Sequence, residues 1–550
     1  MPKRNKTLLR DEINIEELKQ ILDVAGLSET DHAKFTAVLD TLLFITQELE
    51  KKRVSLGRLK KMLFGDTSEK TSKVLEKALK AAMSTGKDES TDSSADDFQD
   101  EKEKKKPKGH GRNGASKYPG AQTIKVPHKL LKPKDPCPKC IKGNVYKYEP
   151  KTVVCLRGSA PVTGTIYQMD RLRCNLCGEI FTAGTPEGVD EEKYDASSGS
   201  MIALLKYGTG MPFNRLGQLQ TNLGIPVPSS TQWDILKGVE PKVKPALKEL
   251  VLQAAQGEVL HNDDTNMMIR ELTKDCKSPG QDDKPGRTGM FTSGIVSLSK
   301  GHKIALFFTG RNHAGENIAE VLKQRLTGLS PPIQMCDALS RNVPKEMKTI
   351  LANCLSHGRR QFVDVAGSFP DEVIHVLKLL KEVYINDDIA RAQKMMPEQR
   401  LSFHQAQSKP WMDKLHQWCR EQLEDHKVEP NGNLGIAISY MLKHWDKLTL
   451  FLRVPGAPLD NNICERALKK AIMNRKNAYF YKTVKGAEVG DMFMSLIHTC
   501  ELCQSNPFDY LLELQRHACQ LAEEPENWMP WNYKETLSSI KVPSTSSGYR

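Results

Sequence analysis

Three acidic residues, Asp263, Asp337 and Glu465, have neighbours that suit metal-dependent chemistry. Asp263 lies on a strand-like run, Asp337 ends a second such run, and Glu465 lies in the first turn of a predicted helix. Carboxylates that are packed together repel one another and bind protons unless divalent cations neutralise them. Hard oxygen ligands of this charge select Mg²⁺ or Mn²⁺. Two such ions can activate the attacking oxygen and stabilise the leaving oxygen when a phosphodiester is displaced.

The elements that must position these acids predict an α/β core. Three strand-like runs at 258–265, 289–299 and 302–310 are rich in β-branched and aromatic residues. A helical run at 314–326 and a short strand at 332–336 follow them. This β-β-β-α-β order has one acid on the first strand and another after the fourth. An RNase H-like (retroviral-integrase-like) core needs that arrangement, with a later helix supplying the third acid.

The third acid belongs to a predicted helix within 459–477. The acid and amides at 460–462 suit its N-terminal cap. Glu465 borders an apolar side made of Cys464, Ala467, Leu468, Ala471 and Ile472. The alternative is a surface helix in which Glu465 pairs with Lys469, an interaction of about 0.3 kcal/mol. The two upstream acids favour a functional role for Glu465.

A helical insertion is predicted between the second and third acids, because too many residues separate Asp337 from Glu465 for an ordinary connection. Helical patterns occupy 371–455 and contain three tryptophans. We expect these tryptophans in the core of the insertion, and stacking on an unpaired or flipped base is the alternative. The three are Trp411, Trp418 and Trp445.

Cations near the acids indicate contact with phosphate groups. The run SHGRRQF contains His357, Arg359 and Arg360, and we expect its arginines to contact phosphates. Exposed cations on an ordinary helix are the alternative. The net charge of the chain, +12, is compatible with nucleic acid without being diagnostic of it. The helix of Glu465 offers further cations to a DNA backbone: Arg466, Lys469, Arg475 and Lys476.

Two Cys-x-x-Cys pairs predict a structural zinc site. Cys137 and Cys140 form the first pair, and a strand-like stretch separates it from the second pair, Cys174 and Cys177. This is the pattern of a zinc ribbon, in which two knuckles complete a closed tetrahedral site of four thiolates. A closed site has no open position, so this zinc would hold a fold and not catalyse. A redox-active or incidental pairing is the alternative.

The N-terminal part predicts self-association. Apolar residues repeat every seven positions over 32–64, which favours a coiled coil, and an amphipathic helix packed on its own domain is the alternative. The charged stretch at 84–125 has few large apolar residues and is predicted to be a disordered linker. Residues 186–256 have helical patterns with a weak helix–turn–helix signal, although most such pairs are simply packed helices.

Two sequence features predict a cytoplasmic protein. No apolar run approaches the length of a membrane span, and the N-terminal residues lack the apolar core of a signal peptide. In the cytoplasm the 13 cysteines would be mostly reduced thiols. In such a reducing compartment, clustered cysteines indicate metal binding more strongly than disulfide formation.

With these motifs in view, the chain resembles the transposases of the insertion sequence 66 family, which use a DDE triad. The resemblance runs from end to end. Its motifs are RLKKMLFGDTSEK, GHGRNGASKYPGA leading into CPKC, HNDDT, PIQMCDALSRN, CLSHGRRQF, LDNNICERALKKAIMNRKN, GDMFMSLIHTCELCQSNPFDYL and NYKET. One departure is the sequence ALSRN after Asp337, where the family more often shows glycine-tyrosine.

The resemblance implies that Asp263, Asp337 and Glu465 are catalytic and bind two Mg²⁺ or Mn²⁺ ions. Alternation along the strand does not choose between Asp263 and Asp264, but the family motif does, since its first aspartate is catalytic. Asp264 is then expected to position the following loop, with Thr265 beside it. The implied activity is DNA strand cleavage and strand transfer at the ends of a bacterial insertion sequence. Its partners would be double-stranded DNA, a second copy of the chain and small accessory proteins.

Two alternatives come from other functional classes. A catalytically decayed zinc-ribbon DNA-binding protein would keep the fold, but all three carboxylates are in place. An RNase H-like repair nuclease fits the core, but it accounts less naturally for the coiled coil and the basic helix. The predicted organisation is an N-terminal helical region at 1–83, a linker at 84–125, a zinc ribbon at 126–185, a helical DNA-binding region at 186–256, a catalytic core at 257–500 and a helical tail at 501–550.

Overall fold

The computed structural model describes residues 32, 34–41, 132–136, 138, 144–146, 159–173, 180–184, 193–275 and 288–540. Residues 34–41 are helical, and the rest of the predicted coiled coil lies outside the described residues. The charged linker and the four cysteines of the predicted zinc ribbon also lie outside them. The chain divides into two compact units, one formed by 88–163 and the other by the remaining residues.

Each of the two cysteine pairs of the predicted zinc ribbon falls between backbone segments that pair in antiparallel fashion. In the smaller unit, an isolated antiparallel bridge joins Pro136 to Asn144. In the larger unit, β1 (Arg171–Arg173) pairs with β2 (Ile180–Thr182).

Within the described stretch 193–275, three α-helices precede the central sheet. Asp195 caps the first of them, because its carboxylate accepts a hydrogen bond from the Ser198 backbone N–H at 3.0 Å. A π-helical turn at Leu204–Gly208 follows directly. The helices are α1 (Ala196–Ala203), α2 (Phe213–Asn222) and α3 (Ser229–Ala255).

Five strands form one mixed sheet. In chain order the elements are β3 (Val259–Asn266), α4 (Arg270–Asp275), β4 (Phe291–Ser299), β5 (His302–Gly310), α5 (Ala314–Leu322), β6 (Ile333–Cys336) and β7 (Ile350–Asn353). The strand order is β5-β4-β3-β6-β7. The pairs β3–β4 and β4–β5 are antiparallel, whereas β3–β6 and β6–β7 are parallel. This arrangement is compatible with an RNase H-like core, and β7 is an addition to the four predicted strands.

Helices occupy the long connection between the second and third acids. An apolar cluster combines these helices with β6 and β7, and all three tryptophans are half-buried against that cluster. The helices are α6 (Leu355–Val365), α7 (Pro370–Ala392), α8 (Pro397–Gln407), α9 (Lys409–Glu424), α10 (Asn433–Lys443) and α11 (Trp445–Leu448).

The C-terminal helices cover the sheet and its edge. They are α12 (Asn462–Ala478), α13 (Val484–Leu502), α14 (Pro507–Arg516), α15 (Ala518–Glu523) and α16 (Tyr533–Ile540). Asp491, Ser495 and Thr499 of α13 accept hydrogen bonds from backbone N–H groups of the edge strand β5, at 2.5–3.0 Å. A covered edge cannot pair with another chain. None of the described helices combines the length and the apolar character that crossing a membrane requires.

Candidate active site

Parallel pairing of β3 with β6 brings two of the three acids to the same end of the sheet. His261 on β3 lies opposite Met335 on β6. Asp263 and Asp337 each lie two residues further along the chain. Because equivalent positions of parallel strands lie side by side, the two carboxylates are neighbours.

One buried amide contacts both carboxylates. Asn342 Nδ2 donates a hydrogen bond to Asp337 Oδ1 at 2.5 Å and another to Asp263 Oδ1 at 3.4 Å. The backbone carbonyl of Asn342 in turn accepts hydrogen bonds from the side chains of Asn262 and Gln334, each at 2.8 Å. This amide network fixes the loop after β6, so the ALSRN sequence itself supplies a residue that holds the two aspartates.

The electrostatic setting of Asp263 includes the charges of both other acids. Burial and the charge of Asp337 raise the pKa of Asp263 to about 7, and the charge of Glu465 acts in the same direction. A hydrogen bond from the Asp264 backbone N–H, at 2.8 Å, opposes this rise in the pKa. A carboxyl group that resists ionisation is expected where several carboxylates converge without a neutralising cation.

Asp264 has different partners. Its side chain is 1% exposed, with Oδ2 2.9 Å from His313 Nδ1 and Oδ1 3.2 Å from an Arg341 guanidinium nitrogen. Arg341 directly precedes Asn342 in the chain. We expected Asp264 to position the loop that follows its own strand, but its ion pair instead anchors the loop after β6.

Asn461 fixes the start of helix α12, which carries Glu465, against β3. Asn461 Nδ2 donates to the Asn262 carbonyl at 3.1 Å, and its Oδ1 lies 3.1 Å from His261 Nδ1. We expected the side chain of Asn461 to cap the helix. It occupies the N-cap position but makes no capping hydrogen bond, because β3 takes up its hydrogen-bonding groups.

A glycine allows α12 to approach β4 closely. Gly294 lies opposite Asp263 in the sheet, and its carbonyl accepts a hydrogen bond from the Cys464 thiol at 3.2 Å. A β-carbon at position 294 would meet Leu468 at 3.0 Å, which is tighter than ordinary contact. A larger residue here would therefore displace the helix that carries Glu465.

Helix α6 brings the SHGRRQF cations towards Glu465. His357 Nδ1 lies 3.7 Å from Glu465 Oε1, and an Arg360 nitrogen lies 3.8 Å from Oε2. In the described part of the chain, Glu465 forms ion pairs with His357 and Arg360. It does not form there the pair with Lys469 that an ordinary surface helix would favour. Arg359 is only 7% exposed, so of the two arginines Arg360 is the one placed to meet a phosphate.

The remaining predicted DNA contacts lie along α12. Arg475 is half-buried, donates to Thr265 Oγ1 at 3.2 Å and also bonds the Asn266 carbonyl, so it ties the helix to the end of β3. The other cations are exposed and remain available at the surface: Arg466, Lys469 and Lys476.

A cleft of about 460 Å³ opens beside Asp337. Lys345, His444 and Lys447 contribute to its wall, and both lysines are exposed. The volume lies within the range of small-molecule sites. A basic cleft beside the Asp337 carboxylate suits a nucleotide or the sugar–phosphate backbone of a strand.

The donor set fits divalent cations. Asp263, Asp337 and Glu465 offer hard oxygen atoms, which Mg²⁺ and Mn²⁺ prefer. Glu465 Oε1 is buried and accepts no hydrogen bond from the described residues. A buried carboxylate oxygen without a partner is costly, and a bound cation would remove that cost. These three residues would therefore hold the metal.

Some residues of the site were not predicted as such. In the sequence, Arg341 and Asn342 stand out only as part of the departure from the family pattern after Asp337, and no motif indicates a role for Cys354. The sequence feature that could have indicated Arg341 and Asn342 is that they form a polar pair a few residues after Asp337. The loop that contains them must return to the sheet. The partners of that pair are distant in sequence, so no local pattern could identify them.

Together the fold and the site define a class: a mixed α/β protein that gathers three carboxylates at one end of its sheet. Residues 193–489 match the family described as Transposase IS66 family. That match covers more than half of the sequence, and the chain belongs to this family.

Three proteins of Sinorhizobium fredii, each named only as an uncharacterized protein, are similar to the chain. The y4jD protein is 33% identical over 190 residues, which cover 34% of this chain and 36% of the relative. The y4hP protein is 24% identical over 361 residues, 61% of either chain. The y4qI protein is 26% identical over 360 residues, 60% of this chain and 61% of the relative. The chain thus spans less than two thirds of the length of these relatives.

Proposed function

We propose that this chain is a DDE-type transposase that cleaves DNA strands at the ends of an insertion sequence and joins them to target DNA. One observation carries the proposal: Asp263, Asp337 and Glu465 converge, with Asn342 contacting the first two. Membership of the family supports the same chemistry. The mixed sheet supports an RNase H-like core.

The three acids would hold two Mg²⁺ or Mn²⁺ ions. When bound, these ions neutralise the carboxylates and supply activation of the attacking oxygen and stabilisation of the leaving oxygen. Asn342 keeps the two aspartate oxygens side by side. Asn461 keeps the helix of Glu465 against β3. The chain thereby sets the positions of the acids before DNA arrives, which is where most of the rate enhancement of such sites originates.

The reaction proceeds in two displacements at phosphorus. In the first, a water oxygen attacks the phosphodiester at the element's end and the P–O3′ bond breaks, which leaves a free 3′-hydroxyl. In the second, the oxygen of that hydroxyl attacks a phosphodiester of the target DNA. A new P–O bond joins the element's 3′ end to the target while the target's own P–O3′ bond breaks, and the released target 3′-oxygen takes up a proton. Arg360 beside Glu465, and Lys345 and Lys447 beside Asp337, hold the phosphates that flank the reacting bond.

DNA binding is expected to be driven mainly by phosphate contacts. The exposed cations Arg466, Lys469 and Lys476 extend the basic surface along α12. Because each neutralised phosphate releases counterions, affinity should fall steeply with salt. The N-terminal part would add recognition of the element's ends, a structural zinc bound by Cys137, Cys140, Cys174 and Cys177, and self-association through 32–64.

The competing function is a decayed transposase that binds DNA without cutting it. A nicking assay separates the two, with a labelled duplex that carries the inverted repeat found beside the gene. The proposal predicts a nick at the end of the repeat with Mg²⁺ and none with EDTA. Salt-sensitive binding of the duplex without any nick in Mg²⁺ or Mn²⁺ would establish the decayed alternative.

A further inference from the structure

We propose that His357 and Cys354 join Glu465 in binding one divalent transition-metal ion. This ion would have three kinds of ligand atom: a nitrogen of His357, the sulfur of Cys354 and an oxygen of Glu465. The ligand atoms of the three residues lie within 4.8 Å of one another. This inference rests on the proposed function in one respect, the assignment of Glu465 to a metal.

Two backbone contacts bring these three residues together. Cys354 is the N-cap of α6, and His357 lies in the first turn of that helix. The Leu355 N–H donates to the Leu459 carbonyl at 3.0 Å, and the Asn461 N–H donates to Cys354 Sγ at 3.2 Å. The start of α6 is thereby joined to the segment that leads into α12. The cluster is built into the fold and does not depend on mobile surface side chains.

Two atoms in the cluster lack hydrogen-bond partners. Glu465 Oε1 and His357 Nδ1 are both buried, and neither forms a hydrogen bond in the described part of the chain. They lie 3.7 Å apart, beyond hydrogen-bond distance. Buried polar atoms normally have a partner. A cation between the two atoms would satisfy both, while the other oxygen of Glu465 faces Arg360.

The donor chemistry distinguishes this position from the rest of the site. Asp263 and Asp337 offer only oxygen, which suits Mg²⁺. An imidazole nitrogen and a thiolate sulfur favour Zn²⁺ over Mg²⁺, whereas the carboxylate also accepts Mn²⁺. We therefore assign the Cys354–His357–Glu465 cluster to Zn²⁺, with Mn²⁺ as a weaker occupant that serves as a spectroscopic probe.

Titration of the full-length protein with Mn²⁺, followed by electron paramagnetic resonance, tests the nitrogen ligand. Mn²⁺ is a suitable probe because it binds poorly to the thiolates of a zinc ribbon. His357→Gln should weaken Mn²⁺ binding about tenfold or more, as loss of a metal-site group commonly does. The matched control is His375→Gln, an exposed histidine that lies beside Trp418 on α9, and it should leave binding unchanged.

Displacement of bound Mn²⁺ by Zn²⁺ tests the sulfur donor. Cys354→Ser should bind Mn²⁺ within about threefold of the unmodified protein but need about tenfold more Zn²⁺ to release it. The predicted zinc-ribbon cysteines are the same in both proteins, so the difference reports on Cys354. Cys419→Ser, another buried thiol, is the matched control.

A measurement on the unmodified protein keeps the inference testable if a variant fails to fold. With less than one equivalent of Mn²⁺ added, pulsed electron paramagnetic resonance should detect hyperfine coupling between Mn²⁺ and an imidazole nitrogen. Absence of that coupling, or Mn²⁺ binding by His357→Gln within about twofold of the unmodified protein, would overturn the inference. A direct His357–Glu465 ion pair would then explain the cluster.

The same data separate this inference from the proposed function. If His357→Gln binds Mn²⁺ normally while the protein nicks DNA, the inference fails and the transposase proposal stands. If Mn²⁺ binding depends on His357 but the unmodified protein never nicks DNA, the metal site stands and the proposed catalysis fails.

Discussion

Replacing Asp263 by Asn should stabilise the metal-free protein while it abolishes cleavage. The pKa of Asp263 rises from 3.8 to about 7 on folding, because of burial and of the charges of Asp337 and Glu465. About three pKa units correspond to about 4 kcal/mol of unfavourable free energy for the ionised carboxylate in the folded state. Asn has nearly the same shape without the charge, so Asp263→Asn removes this cost.

The pH dependence follows from the direction of the shift. A carboxyl group whose pKa is raised by folding gives full stability below its unfolded value and loses it as pH rises through the folded value. In EDTA, Asp263→Asn and the unmodified protein should therefore unfold at similar temperatures near pH 4. Their midpoints should diverge between about pH 4 and about pH 7, until the variant unfolds several degrees higher at pH 8.

Thermal unfolding in EDTA at pH 4, 6 and 8 measures the effect, and Asp264→Asn is the matched control. That neighbouring change removes the charge that faces Arg341 and His313, so it should destabilise the protein by about 1–3 kcal/mol. It should also leave measurable cleavage in Mg²⁺. An Asp263→Asn variant less stable than the unmodified protein at pH 8 would refute the convergence of the three acids.

Three further predictions test other parts of the protein. Asn461→Ala removes the two side-chain contacts that hold the start of α12 against β3, and it should slow cleavage about tenfold or more with little change in circular dichroism; an unchanged single-turnover rate would contradict it. Cys137→Ser or Cys174→Ser should lose bound zinc, and elemental analysis that finds no zinc in the unmodified protein would sink this prediction. Leu49→Lys would bury an unpaired charge in the heptad seam and should lower the mass found by sedimentation, whereas equal masses would support a packed helix.

Much of the sheet could be predicted because its strands have strong local signals. The runs that became β3, β4 and β5 are long, rich in β-branched and aromatic residues, and separated by turn-forming or polar residues. The four-residue strand β7 escaped prediction, since a short apolar run before a helix has no distinctive period. Its place at the sheet edge depends on parallel pairing with β6, which no local pattern encodes.

The three candidate acids could be proposed from the sequence, but the residues that contact them could not. Asp263, Asp337 and Glu465 were recognisable from their strands, their helix and the family motifs. Asn342 contacts two of them only because Asn262 and Gln334 hold its backbone carbonyl from other parts of the sheet.

The basic motif SHGRRQF shows the same limit. Its cations were recognised, but the sequence could not show which of them meet the third acid. His357 and Arg360 lie near Glu465 because the N-terminal ends of α6 and α12 are adjacent in the fold. About a hundred residues separate the two helices in sequence.

Single-turnover cleavage by three variants tests the central claim most directly. The substrate is a duplex that carries the element's terminal repeat, in saturating Mg²⁺, and the variants are Asp263→Asn, Asp337→Asn and Glu465→Gln. If the three acids form one metal-dependent site, each variant should lose cleavage by about a thousandfold or more while it still binds the duplex, and a double variant should lose little beyond that. Cleavage within about tenfold of the unmodified rate by any one of the three would show that its carboxylate lies outside the catalytic site.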